Sequence, residues 1–303
     1  MQIFIPIPHE GLLPRGGTPF RLALLLALFA PLLSACGGND ETLSVTELSE
    51  KTHVHGLAVA ADDPDRLYVA SHFGLYVADT GGMARRVSEE RHDFMGFTPH
   101  PGEPRTLFAS GHPHGGGNLG FLVSEDHGVS WTRRASGVNG PVDFHQMDVS
   151  HADPDVIYGV YRGLLQRSTD GGHTWELRGQ APQGLIELAA SSRRPERLFA
   201  ATQNGLLVSQ DAGGNWEPAH TSSAPSSTVR TVAAGHVYAY IVGVGLVQAS
   251  ERSLNWRVVG DHWGEDFMLH LAIDPQDTSR MFTVNGEGSI LSSSDGGASW
   301  APL

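Results

Sequence analysis

The sequence predicts an all-β protein: a six-bladed β-propeller of four-stranded antiparallel blades, following an N-terminal export signal. Three observations predict it. A short motif recurs six times in phase. The chain between its copies is a series of short apolar runs punctuated by Gly, Pro and Asp turns. The regular spacing of these runs leaves no room for long helices.

The repeat comes first. Four segments read Ser-x-Asp-x-Gly-x-x-Trp: Ser124, Asp126, Gly128 and Trp131; Ser168, Asp170, Gly172 and Trp175; Ser209, Asp211, Gly213 and Trp216; Ser293, Asp295, Gly297 and Trp300. Two degraded copies fill the gaps. One is Ala249, Glu251, Ser253 and Trp256; the other is Val77, Asp79 and Gly81 with Ala84 in the Trp place. The acidic positions 79, 126, 170, 211, 251 and 295 are spaced 47, 44, 41, 40 and 44 apart. That period fits one four-stranded blade. The motif resembles the Asp-box, or BNR, repeat of sialidases and related propellers, and the resemblance covers the whole chain after the signal segment. It implies a structural job on the turn between the third and fourth strands. There the Asp accepts backbone N–H bonds, Gly allows positive φ, and Trp packs against neighbouring blade surface.

Each blade reads further upstream. A Gly-Leu or variant (Gly74-Leu75, Gly120-Phe121, Gly163-Leu164, Gly205-Leu206, Gly245-Leu246, Gly288-Ser289) marks the turn into the third strand. An apolar second strand precedes it, and a Pro/Asp turn such as Asp153-Pro154 precedes that. The blades run approximately 53–91, 92–137, 141–180, 182–222, 226–260 and 265–303. Segment 42–50 is a candidate for a strand at the ring closure.

Residues 1–35 read as a signal peptide. Leu22 to Leu33 is apolar, follows Arg15 and Arg21, and is too short for a membrane span of about 20 residues. The stretch before it is long and weakly charged, which leaves the start codon open. Leu33-Ser34-Ala35-Cys36 resembles the bacterial lipobox. That implies lipidation of Cys36, the chain's one cysteine, and cleavage before it. Residues 36–50 then form a tether. Gly37 after the Cys implies, by the same resemblance, the periplasmic side of the outer membrane in a Gram-negative cell. The net charge of −13 argues against nucleic acid and anionic lipid as partners. The reading is a monomer held at a membrane by its lipid.

Sixteen histidines need an explanation. In a propeller, the start of each innermost strand and the loop between strands two and three share one face, opposite the Asp-boxes. Counting back from Pro64, Pro104 and Pro154 aligns Leu57, Phe97 and Met147. Two residues earlier, on the same side of a regular strand, lie His55, Met95 and His145; two earlier again lie His53, Asp93 and Asp143. The overlying loops add His72, His112, His114 and Arg162, and the last blade adds His262, Trp263, Glu265, Met268 and His270. Met147, in the apolar row, reads as core. His100, His127, His151 and His173 fall in turns or Asp-boxes on the far face and read as surface residues.

Imidazole, thioether and carboxylate converging on one spot suit a transition metal. The metal set is His53, His55, Met95, His145, His112 and His114, and the thioether favours copper over zinc. A wet, hydrogen-bonded channel mouth accounts for His53, His55 and His145 equally well. Sialidase activity is not expected: that family needs three arginines on a carboxylate, and here Arg162 stands nearly alone on the face, with Arg91 before a blade and Arg230 alternating outward. A non-sialidase glycoside hydrolase needs two carboxylates roughly 5–10 Å apart. Asp93 and Asp143 are the first choice, with Glu187, Glu265 and Asp266 behind them. The segments His53-x-His55-Gly56, Asp93-Phe94-Met95-Gly96-Phe97, Ser110-Gly111-His112-Pro113 and Asp143-Phe144-His145-x-Met147 also resemble bacterial propellers called glycosyl hydrolase-like. The repeat is equally similar to propellers of photosystem II assembly factors, which implies a binding or assembly role. The expected function is therefore a binding or assembly module of the cell envelope with a protein or carbohydrate partner, and glycoside hydrolysis is the alternative.

Overall fold

The structure is a computed structural model, and it describes residues 42–261 and 263–303. The signal segment, Cys36 and His262 lie outside the described residues. Six antiparallel sheets succeed one another in chain order, each read from the innermost strand outward, as the propeller reading requires. Blade three shows the pattern: Gln146–Val149, Ile157–Tyr161, Leu164–Ser168 and Glu176–Gln180. The innermost strands of successive blades pack against one another, and that of blade one, Val54–Val59, packs against that of blade six, Met268–Ile273.

The Asp-box builds the same hydrogen-bonded turn four times. In blade three the Ser168 hydroxyl accepts the Gly172 N–H (2.8 Å) and donates to Asp170 Oδ1 (2.8 Å). The same Oδ1 accepts the Thr174 N–H (2.9 Å), and Oδ2 accepts the Thr174 hydroxyl (2.6 Å). Trp175 Nε1 donates to the Gly172 carbonyl (3.1 Å) and its ring packs on Phe121 and Phe144. These bonds hold the Asp170 carboxyl down to about 2.

The glycine does more than supply its φ of +87°. A Cβ on Gly172 would run into the Phe121 ring of blade two. Gly128 meets Leu75 in the same way, Gly213 meets Leu165 and Gly297 meets Leu246, each on the preceding blade. The turn is therefore the joint between blades, and its partner sits one residue after the upstream Gly in blades one, two and five and two residues after it in blade three.

The two degraded copies are joined differently. In blade five Glu251 is fully buried and reaches blade four, where Ser192 donates both its N–H (3.0 Å) and its hydroxyl (2.6 Å) to Oε1 and Ser191 donates to Oε2. In blade one Asp79 still accepts two backbone N–H bonds, from Gly81 and Met83. The missing Trp is replaced from outside the repeat. Thr42–Ser44 adds a fifth, outer strand to blade one, and the helix Val45–Lys51 follows it. Ser44 and Glu47 form a reciprocal capping box at the helix start. Val45 and Leu48 pack in one cluster with Ala84 of blade one and Phe282 and Ile290 of blade six, which closes the seam.

Replacing Gly172 with Ala tests the joint. A forced positive φ and overpacking against Phe121 together cost roughly 2–4 kcal/mol. Thermal unfolding of Gly172→Ala is expected several degrees below that of the unmodified protein; an unchanged midpoint would show that the joint is not tight.

Candidate metal centre

The innermost strands break their regularity at one level. Register shifts fall at residues 54–56, 185–187, 226–228 and 268–270. In blade two the strand is interrupted: Asp93–Phe94 pairs with Gly111–His112, and Thr98–Pro99 resumes the sheet. This break places Asp93 directly opposite His112. Gly111 is obligatory between them, because its φ is +141° and a Cβ would strike the Asp93 carbonyl. Buried hydroxyls anchor the two loops that carry histidines. Ser71, next to His72, donates to the Gly74 carbonyl (3.0 Å), and Ser110 donates to that of Gly120 (2.8 Å).

Asp93 becomes a hub. Its Oδ2 lies 2.5 Å from His72 Nδ1 and 3.4 Å from His112 Nε2, and its Oδ1 lies 3.4 Å from His55 Nε2. His55 Nε2 is also 3.2 Å from His72 Nδ1. His55, His72 and Asp93 thus present three metal-competent atoms within 4.8 Å of one another. Asp93 is buried, and its Oδ1 has no hydrogen-bond partner. Beside this group Asp143 is buried with its own Oδ1 unpartnered, while its Oδ2 meets His145 Nε2 at 3.1 Å. Burial, reinforced by the nearby His72, His270 and His145, brings His55 down to about 4 despite the pull of Asp93. The ring is therefore neutral at neutral pH. Asp143 acts the other way on His145 and raises it.

The remaining sequence-predicted residues separate. His53 is exposed, with its ring 5.4 Å from that of His72. Met95, two residues beyond Asp93, is half-buried. His114 is exposed and stacks on Phe73 (5.4 Å). Arg162 lies over the Tyr161 ring on an exposed turn. Met147 is core, as its row implied.

Met268 is corrected: the bulge after it turns its side chain into an apolar cluster with Tyr240, Leu246 and Met281, away from the open face. His270 comes within 3.1 Å of the Val54 carbonyl through Nε2, and burial takes it to about 4. Two of the spare carboxylates are committed as well, and Glu265 is exposed. Glu187 accepts the Thr228 hydroxyl and the Val229 N–H and pairs with Arg230 at 2.8 Å, while Asp266 accepts from Phe267, Asn285 and Gly286.

Four further expectations change, one for Arg230 and three for far-face histidines. Arg230 lines a cavity of about 290 Å³ instead of alternating outward, because its guanidinium is drawn to Glu187 and the Leu271 carbonyl. His100 and His151 line the same cavity, and His127 ties blade two to Tyr68 and Arg66 of blade one.

Blade three carries the match to known sequence families. Residues 166–177 match the BNR/Asp-box repeat. No curated protein matches the chain. Among solved structures, the GH74 xyloglucanase from Xanthomonas campestris is similar over 83% of this chain and 45% of its own, at 18% identity and a TM-score of 0.56. YCF48 bound to D1 peptide is similar over 86% of this chain and 84% of its own, at 16% identity and a TM-score of 0.54. An extracellular domain from B. thetaiotaomicron matches 83% of this chain and 33% of its own, at 12% identity and a TM-score of 0.51. These likenesses establish the propeller fold. This chain spans less than half of the xyloglucanase. No helix among the described residues is long and apolar enough to cross a membrane.

Buried, neutral His270 carries a pH signature. Its folded pKa lies below its unfolded value, so its contribution to stability is complete above about 6.5 and is lost as pH falls towards about 4. Chemical unfolding across that window is expected to show a falling stability. The slope should flatten in His270→Gln, and an equal slope in both proteins would exclude His270 as its source.

Proposed function

We propose that this protein is a binding module of the cell envelope whose open face holds a divalent transition metal on His55, His72, Asp93 and His112. One observation carries the reading. A buried carboxylate with an unpartnered oxygen gathers three imidazoles within 3.4 Å, and a cation at that point would satisfy all of them. The donors are imidazole nitrogen and carboxylate oxygen, which suit Cu(II) and Zn(II). Copper stands higher in the divalent affinity order, and Met95, two residues beyond Asp93, is the soft donor that the sequence offers for its reduced form. The envelope location rests on the signal-like segment and the lipobox-like Leu33-Ser34-Ala35-Cys36, and similarity to an extracellular domain supports it.

A binding role fits Asp93 and Asp143 better than glycoside hydrolysis. A general acid and its partner must face a substrate, whereas Asp93 faces three histidines and Asp143 faces His145. Asp143→Asn is expected to leave the protein as inactive on a xyloglucan and chitin panel as the unmodified protein. Turnover that disappears in Asp143→Asn would establish the hydrolase instead.

Calorimetric titration of the metal-stripped protein with Cu(II) and Zn(II) tests the centre. One equivalent is expected to bind, copper more tightly. Asp93→Asn should weaken binding by about 100-fold and His112→Ala by about 10-fold, in the range seen when ligands or their supports are removed. Binding that survives Asp93→Asn unchanged would remove the proposal.

A further inference from the structure

The opposite face carries a second, unrelated cluster. Arg193, Arg194, Arg197 and Arg252 surround a cavity of about 450 Å³ between blades four and five, with Glu251 as the one carboxylate among them. Glu251 is already satisfied by Ser191 and Ser192. Among the described residues, none of the four arginines has a carboxylate at ion-pair distance. Arg193 donates to the Ala234 carbonyl (2.9 Å) and Arg197 to the backbone carbonyl of Glu251. Arg197 is buried over the Phe199 ring and has an unpartnered Nε. Arg193, Arg194 and Arg252 are exposed around it. Burial, and then repulsion from Arg194, pull Arg197 below its ordinary value despite the attraction of Glu251. The cavity lining sets four guanidinium groups against one spent carboxylate, with Glu217 attracting Arg197 from outside the lining, which leaves a local positive excess in a chain whose net charge is −13.

We propose that this cavity binds a phosphomonoester. Planar guanidinium forks pair with phosphoryl oxygens two at a time. A phosphomonoester carries about −1.5 to −2 charges at neutral pH, closer to the local excess than one carboxylate. The cavity has room for an organic substituent beyond the phosphoryl group. The ligand is either a soluble phosphate ester or the headgroup of a phosphomonoester lipid.

The purified protein would be titrated with inorganic phosphate and glycerol 3-phosphate by calorimetry. It would also be mixed with phosphatidylcholine vesicles with and without phosphatidic acid. Saturable binding is expected for the soluble anions or for phosphatidic acid vesicles. Either result supports the site and identifies its source. In the double variant R194A/R252A, which alters two exposed side chains, affinity should fall at least tenfold while the melting temperature stays put. No saturable binding of any probe, equal binding of acetate, or undiminished binding by the double variant would overturn the proposal. The outcome is independent of the metal titration, because the two sites share no residue.

Discussion

The contact between each Asp-box glycine and the strand of the preceding blade is the constraint on which the rest of the molecule depends. A propeller blade cannot bury its faces alone, so the ring exists only if neighbours dock closely. Here docking is set by a rigid turn. Ser and Asp fix its shape by hydrogen bonds, and the glycine lets that shape press onto Leu75, Phe121, Leu165 or Leu246 without a Cβ in the way. Where the box is degraded, another device supplies the link: the buried Glu251 in blade five, and Val45 and Leu48 in blade one.

Concentrating the joints on one face frees the other. The loops between strands two and three and the starts of the innermost strands are relieved of blade-to-blade docking, so they can break regularity. Blade two breaks it most, and the break turns Asp93 towards His112. Burying a carboxylate is costly unless it is paired or hydrogen-bonded. His55, His72 and His112 answer that cost only in part, since one oxygen of Asp93 and one of Asp143 remain without partners. The fold keeps these unsatisfied groups at the open mouth and nowhere near the joints.

Much of this was legible in the sequence. The six Asp-box positions gave the blade number, the strand order and the face on which to seek chemistry. Counting from the Pro turns placed His55, Asp93, Asp143 and His145 correctly at one mouth and Met147 in the core. The count failed where it assumed a regular strand. Alternation cannot foresee a bulge, so Met268 was assigned to the open face, and Asp93 was read as a hydrolase carboxylate outside the metal set when it is the hub of the histidines. Gly111 was a visible clue, since an isolated glycine on a strand signals close backbone approach. The strand expected over 42–50 forms only at Thr42–Ser44; the helix Val45–Lys51 that replaces the rest was missed, although Ser44 and Glu47 stand at capping-box spacing. The arginine cluster could not be seen that way, because Arg193, Arg194 and Arg197 meet Arg252 only across a blade interface.

The joint itself explains that last placement. Glu251 replaces the small Asp of the box with a longer side chain that reaches into blade four. It is held there by Ser191 and Ser192, the residues that lead into Arg193 and Arg194. The same substitution brings Arg252 alongside them, and the Glu251 backbone carbonyl receives Arg197. One degraded repeat thus draws four guanidinium groups together while its own carboxylate is consumed by serine hydroxyls and an N–H. A Glu spent on those serines cannot neutralise the arginines it gathers. The positive charge left over is therefore a product of how blade five is attached.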